Sequence, residues 1–143
     1  LQEMILEDLR RTFSPAVIDH WQHPRNLRTI DNPDGYAKNT GSCGDTMEMF
    51  LRVKDQKVVE CAFQTDGCGT TVVCGSAATE LASGRPVIEV LGAVSAAAIL
   101  RTLGGLPDES VHCAQLAAET LRRALADYLY QRNSPWKKDY RKP

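Results

Sequence analysis

The stretch Phe63-Gln64-Thr65-Asp66-Gly67-Cys68-Gly69-Thr70-Thr71-Val72-Val73-Cys74 contains the change of period on which the fold turns. Up to Thr65, apolar and polar residues alternate as in a half-buried strand; after Gly69, apolar residues recur at helical spacing. A thiol, Cys68, stands at the junction between two glycines. There it lies near the unpaired N–H groups and positive dipole end of the following helix, which favour thiolate, the form that attacks electrophiles and binds metal. Gly67 and Gly69 lack Cβ atoms, so they suit a tight turn and the close approach of a bulky group. A cysteine in an ordinary glycine turn accounts for this stretch equally well.

Toward the N-terminus, the strand into Cys68 runs back to about Lys57, with Val59, Cys61 and Phe63 on one face and Glu60, Ala62 and Gln64 on the other. Lys54-Asp55-Gln56 is its hairpin connection. Met47, Met49, Leu51 and Val53 alternate with Thr46, Glu48, Phe50 and Arg52 on the paired strand. Tyr36 to Gly41 forms a short first strand after the turn Asn32-Pro33-Asp34-Gly35. Ser14 and Pro15 open a helix to about Gln22, which Pro24 stops, and Phe13 is placed to staple against Ile18. Leu1, Met4, Ile5 and Leu9 share a stripe, so residues 1–12 are expected to form an extra N-terminal helix.

Toward the C-terminus, Val73, Cys74, Ala77, Ala78 and Leu81 line one helix, closed by Gly84. Pro86 to Val90 and Val94 to Leu103 read as two short helices broken near Gly92. Ala117, Leu121, Ala124, Leu125 and Tyr128 mark a long closing helix with Ser110 as its cap. Strands first and helices later give an α+β fold: a small three-stranded antiparallel sheet packed against several helices, in one domain spanning residues 1–143. Residues 131–143 are expected to be a tail, basic at Lys137, Lys138, Arg141 and Lys142.

Two further thiols stand beside donors. Gly41-Ser42-Cys43-Gly44-Asp45 places a carboxylate two residues after a glycine-flanked cysteine, and Val111-His112-Cys113 pairs a cysteine with an imidazole in the first turn of the closing helix. Cys43 precedes the second strand and Cys68 follows the third, so an antiparallel hairpin brings both to one end of the sheet. Three thiols, a histidine and a carboxylate are the ingredients of a metal or cluster site, although no Cys-x-x-Cys knuckle is present. Cys61 and Cys74 fall in apolar rows and read as core. His20 and His23 read as structural or surface imidazoles rather than ligands.

These tripeptides, in this order and spacing, together with Val17-Ile18-Asp19-His20 and His23-Pro24-Arg25-Asn26, closely resemble the IscU/NifU-type iron–sulfur cluster assembly scaffold from about Phe13 to Tyr130. The resemblance implies the same α+β fold. It also implies that a cysteine desulfurase passes persulfide sulfur to the chain, that Fe2+ enters at the same site, and that an electron donor such as ferredoxin reduces the sulfur. The resulting [2Fe-2S] cluster passes to recipient apo-proteins, and a homodimer in the cluster-bound form is compatible with this. Carried over residue by residue, Cys43, Cys68 and Cys113 are cluster ligands, His112 and Asp45 are alternative ligands, Cys113 is the sulfur acceptor, and Asp45 makes the cluster labile. Zn2+ is an alternative occupant.

The sequence departs from that family in one segment. Leu106-Pro107-Asp108-Glu109-Ser110 stands where the family has Leu-Pro-Pro-Val-Lys, which puts dependence on a DnaK-type chaperone in doubt. The further domains of long nitrogen-fixation scaffolds are absent from this sequence, which therefore reads as a stand-alone scaffold or as one domain of a longer chain.

A net charge of −1 over 143 residues gives no reason to expect nucleic acid or a membrane surface as partner, and no apolar run approaches the ~20 residues of a membrane span. Five cysteines with no secretory pattern before them point to free thiols in a reducing, cytoplasmic setting. Two other classes fit the residues: a zinc-binding interaction module, and an enzyme with Cys43 or Cys113 as nucleophile, activated by His112 and oriented by Asp45.

Overall fold

The structure, a computed structural model, describes residues 8, 10–67 and 69–133. The stripe through Leu1, Met4, Ile5 and Leu9, the thiol Cys68 and the basic end at Lys137 to Lys142 lie outside the described residues. The elements in order are α1 (Pro15–Gln22), β1 (Gly35–Thr40), β2 (Thr46–Lys54), β3 (Lys57–Thr65), α2 (Thr70–Ala82), α3 (Val87–Ala93), α4 (Ala96–Thr102), a 3-10 turn (Asp108–Ser110) and α5 (Val111–Asn133). The strands form one antiparallel sheet in the order β1-β2-β3. This is the α+β arrangement expected from the pattern. Among the described residues, no helix is long and apolar enough to cross a membrane.

One face of the sheet carries the core. Met47, Met49, Leu51, Cys61 and Phe63 are fully buried beneath α2 and α5. Ile30, Phe50 and Ala62 make a smaller cluster with Tyr36 on the opposite face, where the Tyr36 and Phe50 rings lie 5.2 Å apart. Ser14 caps α1 by accepting from the Val17 N–H at 3.1 Å and also donates to the Leu103 carbonyl, so it ties the first helix to the end of α4. The Phe13 ring meets Trp21 edge-on at 5.8 Å.

Four local expectations need correction. A β-bulge between Arg52 and Val53 sets Val53 opposite Val58, so Val58 is fully buried while Val59 is 44% exposed and leaves the apolar row. The break between the two short helices falls at Val94 and Ser95, not Gly92: Ser95 is the stronger stop-and-start signal because its hydroxyl accepts from the Ala98 N–H at 3.0 Å. The closing helix is entered through the 3-10 turn Asp108–Ser110, so Ser110 lies within a helical turn instead of standing as a separate cap. The closing helix continues past residue 131 to Asn133, and Gln131 is buried with its amide donating to Asp127 at 2.8 Å.

Candidate metal centre

The end of the sheet next to the β1–β2 loop is pinned from both sides. Thr40 pairs with Thr46 and Met47 with Thr65. The Asp66 N–H donates to the Thr46 carbonyl at 3.2 Å, and the Thr46 N–H donates to Asp66 Oδ1 at 2.7 Å. The loop holding Cys43 is therefore fastened to the loop leading into Cys68. Backbone bonds close the Cys43 loop on itself, Gly41 N–H to the Asp45 carbonyl at 2.9 Å and Gly44 N–H to the Gly41 carbonyl at 3.0 Å. Gly44 takes a φ of 92°, which a side chain would strain. Cys43 itself is exposed.

Asp45 and Cys113 meet around one side chain of α2. Thr71 donates to Asp45 Oδ2 at 2.7 Å, and its oxygen lies 3.4 Å from Cys113 Sγ. Thr70 Oγ1 stands 3.4 Å from the same sulfur, and His112 Nε2 stands 3.6 Å from it. His112 and Cys113 are helix neighbours whose side chains leave the helix in different directions, but the length of the imidazole brings its far nitrogen back to the sulfur. Cys113 is only 2% exposed, so its thiol is not freely accessible in this arrangement. Gly67 has no side chain for a structural reason: a Cβ there would lie 2.6 Å from Asp45 Oδ2 and 2.9 Å from Thr71 Cβ.

Asp45, His112 and Cys113 thus converge where β2, α2 and α5 begin, with the Cys43 loop beside them. Among the described residues, no three histidine, cysteine or acidic side chains are yet grouped closely enough to hold an ion. The donor chemistry nevertheless fits a soft metal or cluster, with thiolate and imidazole for soft iron or zinc and one hard carboxylate.

Residues 12–135 match the sequence profile of the NifU-like N terminal domain. The chain belongs to that family. Two relatives are the iron–sulfur cluster assembly scaffold protein IscU 1 of Archaeoglobus fulgidus, 41% identical over 117 residues (81% of this chain, 76% of that protein), and IscU of Escherichia coli K12, 35% identical over 130 residues (85% and 98%). Among solved structures, a candidate cluster assembly scaffold of the SUF system from Fervidobacterium islandicum superimposes with a TM-score of 0.64 at 20% identity, covering 79% of this chain and 96% of that one. At that identity the likeness speaks for the fold.

In this NifU-like domain the remaining described thiols behave as core. Burial pushes the Cys61 thiol up to about 12, against a small opposing pull from Arg28. Burial, and then the neighbouring Cys113, push Cys74 up as well. His20 is buried as a structural group, with Nδ1 2.7 Å from Ser76 Oγ, while His23 caps α1 at the surface. Sequence reasoning missed Thr70 and Thr71, whose signal was a pair of hydroxyls in the first turn after Cys68. It also missed Trp21, whose ring comes within 3.5 Å of where a Cβ on Gly69 would lie.

Proposed function

We propose that this NifU-like domain is a scaffold on which iron and sulfur are assembled into a [2Fe-2S] cluster and from which the cluster passes to recipient apo-proteins. The observation that carries this reading is the meeting of Asp45, His112 and Cys113 at the end of the sheet bearing the Cys43 loop, in a chain whose relatives are named cluster assembly scaffolds. In this reading Cys43, Cys68 and Cys113 are the thiolate ligands, and His112 and Asp45 are the exchangeable ones. Five donors compete for fewer coordination positions, and a carboxylate matches cluster iron less well than thiolate, so the set suits release better than permanent holding.

Sulfur arrives on a cysteine desulfurase as a persulfide. The Cys113 thiolate attacks the outer sulfur, a new S–S bond forms on Cys113, and the desulfurase thiolate leaves. A donor such as ferredoxin then supplies an electron pair that splits the new bond into sulfide and thiolate, with Fe2+ entering at the same donors. Because Cys113 is walled in by Thr70 and Thr71, delivery requires these first-turn contacts to part. The free thiols fit work in the reducing cytoplasm. A thiol enzyme with Asp45 orienting His112 is less well supported, since Asp45 is engaged by Thr71.

Anaerobic incubation with Fe2+, cysteine, a desulfurase and a dithiol reductant that supplies the electrons for sulfide tests the reading. The expected result is a visible-absorbing [2Fe-2S] species that transfers to an apo-ferredoxin. A protein that retains Zn2+ and yields no cluster under these conditions would instead be the zinc-binding module.

A further inference from the structure

We infer that Thr71 is a positioning residue that fixes the carboxylate of Asp45 against Cys113 for an incoming metal. The inference rests on the scaffold reading above and extends it to a residue that is not itself a ligand.

The hydroxyl of Thr71 has one hydrogen, and the 2.7 Å bond directs it to Asp45 Oδ2. What it presents to Cys113 Sγ, 3.4 Å away, is therefore its lone pair. One hydroxyl on α2 joins a carboxylate from the β1–β2 loop to a sulfur on α5. Thr71 is 2% exposed, so water does not readily substitute for it. The neighbouring loop leaves room for the pair only because Gly67 has no side chain: its Cβ would fall on both Asp45 Oδ2 and Thr71 Cβ. With Oδ2 held, the other carboxylate oxygen has a fixed direction from which to meet a metal that also binds Cys113. Hydrogen-bond partners of ligating carboxylates act in this way, orienting the ligand without touching the ion.

The test is the affinity for Zn2+ alone, measured anaerobically on the reduced protein by competition with a chromogenic chelator. Thr71→Val keeps the shape and removes the hydroxyl, and it should weaken binding by about 10- to 100-fold. Thr71→Ser, which restores the hydroxyl, should restore binding. In an Asp45→Ala background, Thr71→Val should add no more than about a twofold loss, because the group it positions is gone. Thermal unfolding of each variant monitors the fold; should Thr71→Val fail to fold, Thr71→Ala is compared with Thr71→Ser in its place. Wild-type affinity in the variant lacking the hydroxyl overturns the inference, as does an equal loss with and without Asp45, which would make Thr71 a general support of the fold. A wild-type protein whose Zn2+ binding is indifferent to Cys113→Ala overturns the scaffold site itself and the inference with it, a result distinct from the other two.

Discussion

His20 Nδ1 lies 2.7 Å from the hydroxyl oxygen of Ser76, joining α1 to α2 in the interior. Ser76 also accepts the Arg25 N–H at 2.8 Å, and a neutral ring with its proton on Nε2, facing Glu80 Oε1 at 3.9 Å, lets the Ser76 hydroxyl donate to Nδ1. Burial first, and then Arg25, lower the His20 pKa, while Glu80 and Asp19 oppose the shift. The folded protein thus takes up this proton less readily than the unfolded chain, whose histidine titrates near ~6.5. The stability this confers is present above that pH and is lost as pH falls below it, levelling off once the folded pKa is passed. Denaturant melts between pH 8 and pH 5 should show a steeper decline for the wild type than for His20→Gln. Parallel curves would show that His20 carries none of the pH dependence.

Burial separates exposed Cys43 from the core thiols Cys61 and Cys74. At pH 8, iodoacetamide followed by mass spectrometry should label exposed Cys43 readily, whereas Cys61, with its thiol near 12, and Cys74 stay unmodified until the protein unfolds. Cys61→Ala and Cys74→Ala should each cost about 1 kcal/mol of stability, the scale for removing one buried heavy atom, and should leave cluster formation intact. Cys43→Ala should abolish a stable cluster at little cost in stability, whereas Cys113→Ala, which also removes a buried sulfur, should abolish it at a cost similar to that of the two core cysteines. Cluster loss in the Cys61 or Cys74 variant would undo this sorting of ligands from core.

The sequence disclosed strand faces and helix stripes because burial on one side writes a period into the chain: Met47, Met49 and Leu51 alternate as their strand does, and they are fully buried as the alternation requires. It misled at Val59, where the bulge opposite Val53 inserts a residue that alternation alone does not reveal. The hairpin placed the Cys43 loop beside the approach to Cys68 from topology alone. The Thr71 bridge was illegible, since it depends on how α2 and α5 pack across a sequence separation of 42 residues, and no local pattern encodes that packing.

Glycines at two helical positions predict opposite outcomes for the same substitution. A Cβ on Gly75 would lie 2.4 Å from Phe63 Cε2 and 2.5 Å from Cδ2, and Phe63 is fully buried. The ring has nowhere to retreat, so Gly75→Ala should destabilise by about 1–3 kcal/mol despite the better helix propensity of alanine. Gly92 in α3 has nothing within 4 Å of its added Cβ, and Gly92→Ala should stabilise by up to about 1 kcal/mol. Thermal unfolding of the two variants checks the signs. A neutral Gly75→Ala would mean that α2 can move off the sheet at little cost.

Asp45 follows so closely on Cys43 that its role needs a direct experiment. A turn-forming aspartate would use its side chain on nearby backbone N–H groups, but here the turn is closed by the backbone itself, through Gly41 N–H to the Asp45 carbonyl and Gly44 N–H to the Gly41 carbonyl, while the carboxylate reaches across to Thr71. Asp45→Ala keeps both backbone bonds and loses the Thr71 bond, about 1 kcal/mol of stability. Stability therefore does not reveal whether Asp45 is a ligand. Cluster lifetime does. A carboxylate that competes for iron and admits water hastens detachment, and alanine offers no donor, so the Asp45→Ala protein should hold a reconstituted [2Fe-2S] cluster longer and transfer it more slowly to an apo-ferredoxin. The decay of visible absorption in air and the rate at which ferredoxin gains its spectrum measure the two quantities. A cluster in Asp45→Ala that decays as fast as the wild type, or faster, would mean that Asp45 holds the cluster or merely buttresses Thr71, and its assignment as the labilising ligand would fall.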